Sequence, residues 1–147
     1  MNAHREVLIC DTSFVGHYLR YGDSPERYAH WESAIARLAT ATLAIRIVTL
    51  AEMRAGYADA GWGSRRVAAA ERRCASLVPL LLDDPYLNAW ARLWVAAKAR
   101  GIAISDNDLW VAATASVRRK RLVTCDRDHV RIEPELGVEV LYLAPPA

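Results

Sequence analysis

Short apolar runs alternate with longer, mixed stretches along the chain. Five such runs predict strands, at residues 7–10, 43–48, 78–82, 122–125 and 138–142. The stretches between them carry apolar residues at helical spacing and predict helices. Because parallel strands need crossover connections of this length, the pattern predicts a parallel sheet with helices on both faces. The fold class is therefore α/β, with three layers.

Start and stop signals define the predicted helices. The first follows the first strand over residues 13–21. Ser24-Pro25-Glu26 supplies an N-cap, a proline at the first position and an early acid for a helix to about residue 39. Thr49 and Glu52 have the spacing of a capping box, and so do Ser105 and Asp108. Further helices are predicted from residue 64 and from residue 84 to Gly101.

Length and composition indicate one folded domain spanning residues 1–147. The content of 53% hydrophobic and 24% charged residues excludes disordered and linker-rich classes. A net charge of +2 is too small to indicate nucleic-acid binding by itself, although all basic residues except Lys98 and Lys120 are arginines, which pair well with phosphate.

The cysteines and the N-terminus indicate the compartment. Cys10, Cys74 and Cys125 are odd in number and lack CxxC spacing, which argues against a disulfide framework or a thiolate metal site. The polar start at residues 1–6 precedes an apolar run far too short for a signal peptide or a membrane span. We expect free thiols and a cytoplasmic protein without membrane attachment.

Four acidic residues follow strands or begin helices: Asp11, Glu52, Asp108 and Asp126. The carboxyl ends of parallel strands share one edge of a sheet, so these side chains are candidates for one site. Four neighbouring carboxylates repel one another unless a cation neutralises them, and oxygen ligands suit Mg²⁺ or Mn²⁺ better than zinc. The pattern predicts a divalent metal site.

Each acid also has a purely structural interpretation. Glu52 and Asp108 fit capping boxes that need no metal. Repulsion among the four carboxylates predicts that Asp108→Asn raises the melting temperature of the metal-free protein by a few degrees. If Asp108 is chiefly a capping residue, the same change lowers the melting temperature instead. His4, His17, His30 and His129 lack ligand-like spacing and are expected at the surface.

Four motifs resemble those of the PIN family in order and spacing, and the last two are similar to motifs of VapC toxins. They are Ile9-Cys10-Asp11-Thr12-Ser13, Leu50-Ala51-Glu52-Met53-Arg54-Ala55-Gly56, Asp108-Leu109-Trp110-Val111-Ala112-Ala113-Thr114-Ala115 and Leu122-Val123-Thr124-Cys125-Asp126-Arg127-Asp128. The resemblance spans residues 7–143. One departure is His129, which stands where family members usually carry Phe.

The resemblance implies a PIN-like three-layer α/β/α fold and an Mg²⁺-dependent endoribonuclease, with Mn²⁺ as the alternative ion. It implies the toxin of a VapBC-type toxin–antitoxin pair, with an RNA substrate, a cognate VapB-type antitoxin and a homodimeric assembly. In this interpretation a metal-activated water hydrolyses the phosphodiester bond. Asp11, Glu52, Asp108 and Asp126 form the acidic quartet, and Asp11 and Asp108 are the expected metal ligands.

Further residues receive supporting roles. Ser13 and Thr124 are expected to support the acids, and Asp106 and Asp128 are candidate auxiliary acids. Arg54, Arg65, Arg66 and Arg127 are preferred as RNA contacts over the basic run 118–121, which precedes its strand and so lies at the opposite sheet edge. The aromatic residues of the early helices are interpreted as a groove for a partner segment, with core packing as the alternative: Tyr28, Trp31, Tyr57 and Trp62.

Other functional classes fit less well or stay open. A phosphatase of the haloacid dehalogenase type needs a second Asp where Ser13 stands. A PIN-domain RNA-processing nuclease outside a toxin pair, and a non-catalytic PIN-like module that binds nucleic acid or protein, remain alternatives.

Overall fold

Five parallel strands form the centre of the molecule. The computed structural model describes residues 4–147, apart from the side chains of residues 132–135. Residues 1–3, the first half of the N-terminal segment 1–6, lie outside the described part. The strands are β1 (Val7–Cys10), β2 (Thr42–Arg46), β3 (Val78–Leu80), β4 (Arg121–Thr124) and β5 (Val140–Tyr142). Their order in the sheet is β3-β2-β1-β4-β5, and every neighbouring pair is parallel. The predicted parallel sheet is confirmed.

Helices connect the strands. They are α1 (Thr12–Asp23), α2 (Glu32–Thr40), α3 (Ile47–Asp59), α4 (Ser64–Cys74), α5 (Asp84–Ala99), α6 (Asp106–Arg118) and α7 (Arg127–Leu136), with a 3₁₀ segment at Pro25–Trp31. None of the helices in the described part of the chain is long and apolar enough to cross a bilayer.

Both faces of the sheet are buried, which explains why its strands read as continuous apolar runs. In β1, Leu8 and Cys10 join a core cluster with α1 to α4, whereas Ile9 joins a second cluster with α5 and α6. The alternation of successive side chains in a strand produces this division. The predicted three-layer α/β/α architecture is confirmed.

The boundary between β2 and α3 differs from the prediction. The strand ends at Arg46, and the helix begins at Ile47 rather than near residue 50. Thr49 is therefore a fully buried residue inside the helix, so the predicted capping box with Glu52 is wrong. The β-branched Ile47 and Val48 suggested a longer strand, but propensity is a weak preference that the surrounding structure overrides.

Two further elements were predicted incorrectly. The helix expected over residues 25–39 is divided into the 3₁₀ segment and α2, with Tyr28 at φ −116° and ψ 27°. The early aromatic residues explain this break, because Tyr28 and Trp31 are both 1% exposed and pack with α1. Helix α7 was not predicted, since its start was interpreted as a turn.

Several buried side chains correct the predicted surface. Tyr28, Trp31 and Tyr57 belong to the core, so the groove interpretation is wrong for them, while Trp62 is partly exposed. His129 is 1% exposed, and its predicted surface position is also wrong. The predicted free thiols are confirmed: Cys10, Cys74 and Cys125 are all unpaired and buried.

Candidate active site

The predicted acids lie at the carboxyl ends of the central strands. Asp11 directly follows β1, and Asp126 follows β4 with one residue between them. Glu52 lies in the second turn of α3, the helix that directly follows β2. Asp108 is the third residue of α6. Because the strands are parallel and adjacent, their chain ends converge on one edge of the sheet.

Asp11 is the best-anchored carboxylate. It is the N-cap of α1, and its Oδ1 accepts hydrogen bonds of 2.8 Å from Phe14 N and from Ser13 Oγ. Thr124 Oγ1 donates to its Oδ2. The residue is 4% exposed, and burial raises the pKa of its carboxyl group against the hydrogen bonds from Thr124 and the helix start, which lower it. The hydrogen bonds to Asp11 therefore do not fully offset the cost of burying its negative charge.

His129 brings Asp11 and Asp108 together. Its Nε2 lies 3.2 Å from Asp108 Oδ1 and 3.4 Å from Asp11 Oδ2. Both oxygens are acceptors in the ionised acids, so this nitrogen carries the proton that faces them. The two residues predicted as metal ligands thus lie on either side of one imidazole nitrogen.

Asp108 also caps its own helix. Ser105 Oγ accepts a 3.1 Å hydrogen bond from Asp108 N and donates a 2.8 Å hydrogen bond to Asp108 Oδ2. The hydrogen bond from His129 has the largest influence and lowers the pKa of the Asp108 carboxyl group; burial opposes it, and the hydrogen bond from Ser105 lowers the pKa further. The Asp108 carboxylate therefore binds Ser105 at the helix start through Oδ2 and contacts His129 in the site through Oδ1.

Glu52 is held by residues that sequence reasoning missed. Thr12 Oγ1 donates a 2.7 Å hydrogen bond to Glu52 Oε2, and Asn107 Nδ2 approaches the same oxygen at 3.4 Å. Asn107 in turn accepts a hydrogen bond from Arg46. This chain of contacts joins α3 to α1, α6 and the end of β2.

Arg46 places a buried positive charge among the acids. It is the last residue of β2 and is 2% exposed. Burial lowers the pKa of its guanidinium group, whereas the charges of Glu52 and Asp108 raise it. The signal that could have identified Arg46 is a charged residue at the end of an otherwise buried strand.

The remaining predicted acids are less closely connected. Asp126 N donates a 2.9 Å hydrogen bond to Thr124 Oγ1, which also bonds Asp11, and Asp126 Oδ1 accepts from Asp128 N at the start of α7. Asp128 pairs with Arg131 and is 67% exposed. Asp106 is an exposed residue at the first position of α6.

The donor chemistry of the site fits a hard divalent cation. Asp11 and Asp108 offer carboxylate oxygens toward a shared point, and the buried charge of Asp11 favours a positive neighbour. Within residues 4–147, apart from the undescribed side chains, no three His, Cys, Asp or Glu side chains form a ready coordination group. His129 and Arg46 instead stand beside the acids as basic residues.

The predicted RNA contacts occupy different surroundings. Arg54 pairs with Glu71 at 3.0 Å, Arg127 donates to the Tyr142 hydroxyl group at 3.2 Å, and Arg65 is exposed on α4. Arg66 lines a cavity of about 460 Å³ that Thr12, Ser13 and Glu52 also line. Of the predicted four, Arg66 therefore has the clearest connection to the acids.

Comparison with known proteins gives consistent matches. The PIN domain family model matches residues 8–134. Two Mycobacterium tuberculosis proteins are similar: Ribonuclease VapC4, 31% identical over 94% of this chain and 98% of that protein, and Ribonuclease VapC5, 33% identical over 67% of this chain and 75% of that protein. The crystal structure of VapBC-5, a toxin–antitoxin system from the same organism, contains a chain that aligns with a TM-score of 0.68 and 27% identity, covering 93% of this chain and 98% of that one.

Proposed function

This chain belongs to the PIN domain family, and we propose that it is a divalent-metal-dependent endoribonuclease, the toxin of a VapBC-type toxin–antitoxin pair. The similarity to two proteins named as VapC ribonucleases supports RNA as the substrate. The likeness to a chain of a VapBC complex supports a VapB-type antitoxin as the partner. A homodimer and a cytoplasmic location accompany this proposal.

The observation that carries the proposal is that Asp11 and Asp108 meet at the carboxyl edge of the sheet, each within 3.4 Å of His129 Nε2. Asp11 and Asp108 would hold Mg²⁺, or Mn²⁺ in its place, with Glu52 and Asp126 completing the acidic quartet. A divalent ion held by these carboxylates would supply Lewis acidity for activating water and for offsetting charge on the phosphodiester.

The other residues hold these carboxylates in place. Ser13 and Thr124 fix both oxygens of Asp11, and the hydroxyl group of Thr12 orients Glu52. Ser105 restrains Asp108 at the start of α6. Such supporting hydrogen bonds keep ligand atoms in position and limit the reorganisation that binding requires.

A non-catalytic binding module is the second candidate, and one observation favours it. Arg46 and His129 already place basic side chains among the acids, which lessens the need for a metal ion. A protein of this kind would bind RNA or a partner without cutting it.

The deciding experiment is an RNA cleavage assay with Asp11→Asn. We expect cleavage to fall by at least about a hundredfold, the order seen when one electrostatic stabiliser is removed from an active site. Expression of the variant should also no longer be toxic. Asp59→Asn, an exposed acid at the end of α3, is the control and should cut like the wild type.

The same assay tests the metal requirement. Chelation with EDTA should stop cleavage, and added Mg²⁺ or Mn²⁺ should restore it, because both ions suit oxygen ligands. Cleavage that survives exhaustive chelation, or full activity in Asp11→Asn, would contradict the proposed function. Absence of any cleavage with metal would favour the binding module.

A further inference from the structure

A cavity between α1 and α3 opens directly beside the acids. Its volume is about 460 Å³, within the roughly 300–1,000 Å³ range of ligand pockets. Thr12, Ser13 and Glu52 line it at the end next to the site, and Trp62 and Arg66 line it away from the acids. A molecule bound in this cavity would contact residues that hold the candidate catalytic carboxylates.

Two glycines line the cavity at positions where no neighbouring atom would clash with a larger side chain's Cβ atom. Gly16 lies inside α1 and Gly56 inside α3, and a Cβ atom added to either would meet no neighbouring atom within 4 Å. A glycine inside a helix is destabilising relative to alanine. Their missing side chains widen the cavity at two positions where no protein atom fills the space.

The distal end of the cavity combines an aromatic ring with cations. The ring of Trp62 stacks on Tyr57 with centroids 4.9 Å apart, and the Arg66 guanidinium group lies 3.7 Å from the Trp62 ring centroid. Arg66 is exposed, as is Arg20, which lines the same cavity. The planar guanidinium group of Arg66, held on the indole ring, offers a surface on which a nucleobase can stack.

We propose that this cavity binds the unpaired nucleotide adjacent to the scissile phosphate, with its base stacked on the Arg66–Trp62 pair and a phosphate beside Arg20. The proposal rests on the proposed function and adds a nucleotide subsite to it. Aromatic rings interleaved with arginines are typical of single-stranded nucleic-acid binding, where stacking fixes bases and cations follow the backbone. A protein segment would have less use for two exposed arginines at one end and carboxylates at the other.

The test measures binding separately from cleavage. A fluorescently labelled, short single-stranded RNA of mixed sequence is titrated with the full chain in EDTA at low salt, and anisotropy gives the dissociation constant. Gly56→Leu fills the cavity from a helix position with free space and should weaken binding at least about tenfold, because a base and the new side chain cannot share the volume. Ala55→Leu, at the adjacent exposed position on α3, is the matched control and should bind within about twofold of the wild type.

A second pair of variants tests the stacking surface. Trp62→Ala should weaken binding about tenfold, in line with the loss of one stacked base. Trp94→Ala removes a tryptophan that is 43% exposed on α5, in the opposite layer, and should leave binding unchanged. Arg20→Gln should reduce the salt dependence of binding by about one ion, because Arg20 is the proposed phosphate contact.

The outcomes separate this proposal from the proposed function. If metal-dependent cleavage fails but Gly56→Leu and Trp62→Ala lose RNA affinity, the nucleotide subsite stands in a protein that binds RNA without cutting it. If cleavage behaves as expected but both variants bind RNA like the wild type, the subsite is wrong. Unchanged RNA affinity together with lost antitoxin binding would assign the cavity to the antitoxin, and failure of the wild type to bind RNA would overturn the proposal as well.

Discussion

Asp11 and Asp108 both contact His129, but the folded protein shifts the pKa values of their carboxyl groups in opposite directions. Burial is the largest influence on Asp11 and raises its pKa, whereas hydrogen bonds dominate at Asp108 and lower its pKa. The sign of each effect follows from the immediate partners of each carboxylate rather than from the number of acids nearby. The sequence predicted that repulsion dominates at Asp108, whereas the structure favours a stabilising role for Asp108 through its contacts with His129 and Ser105.

At the residue scale, we expect Asp108→Asn to lower the melting temperature of the metal-free protein by a few degrees. An amide is a weaker acceptor than a carboxylate for the hydrogen bonds of His129 and Ser105. Asp11→Asn is the contrasting variant, because it removes a buried charge while asparagine remains a good N-cap, and its melting temperature should hold or rise. Calorimetry in EDTA decides between these, and a higher melting temperature for Asp108→Asn would show that repulsion dominates there.

The helices α1 and α6 are capped by side chains at their starts, in contrast to α3, α4 and α5. Asp11 caps α1 and Ser105 caps α6 through hydrogen bonds to backbone N–H groups. The N-cap residues of α3, α4 and α5 are Arg46, Gly63 and Asp83, and none of them makes a side-chain capping bond. Capping at α1 and α6 fixes the helix turns that carry the candidate ligands.

At the element scale, we expect Ser105→Ala to destabilise the protein by about 1 kcal/mol, the usual cost of losing an N-cap. The melting temperature should fall by about 2–4 °C in a domain of this size. Ser64→Ala is the matched control, because Ser64 follows the N-cap of α4 and is exposed. Equal changes in both variants would mean that the Ser105 hydrogen bonds add nothing specific.

The reactivity of the three cysteines depends on whether the core of the molecule is folded. Cys10, Cys74 and Cys125 all lie in the core cluster formed by α1 to α4 and one face of the sheet. Burial raises the pKa of each thiol, well above its usual range for Cys10 and to about 12 for Cys125. Thiol reagents attack the thiolate, so both inaccessibility and protonation protect these residues.

At the scale of the whole molecule, we expect the native protein to react negligibly with Ellman's reagent at mildly alkaline pH. In denaturant all three thiols should react, and under weakly destabilising conditions they should react together at the rate of global opening. Absorbance of the released dye measures this. Rapid labelling of one thiol in the native protein would reveal that its part of the core opens independently.

The sequence alone predicted the strands, one helix start and most of the candidate acids. The continuous apolar run at residues 7–10 predicted a buried strand, Ser105 predicted the start of α6, and acids after strands identified Asp11, Glu52 and Asp126 as candidates. These inferences hold because strand periodicity and helix capping depend on residues only a few positions apart.

Only the tertiary structure decided which distant side chains meet. Thr12 binds Glu52 across 40 positions, and Arg46 binds Asn107 across 61. His129 looked like a surface residue because nothing near it in sequence predicts its burial against Asp108 and Asp11. Such contacts depend on how helices pack on the sheet, and that packing is set by the summed fit of both core clusters rather than by any local motif.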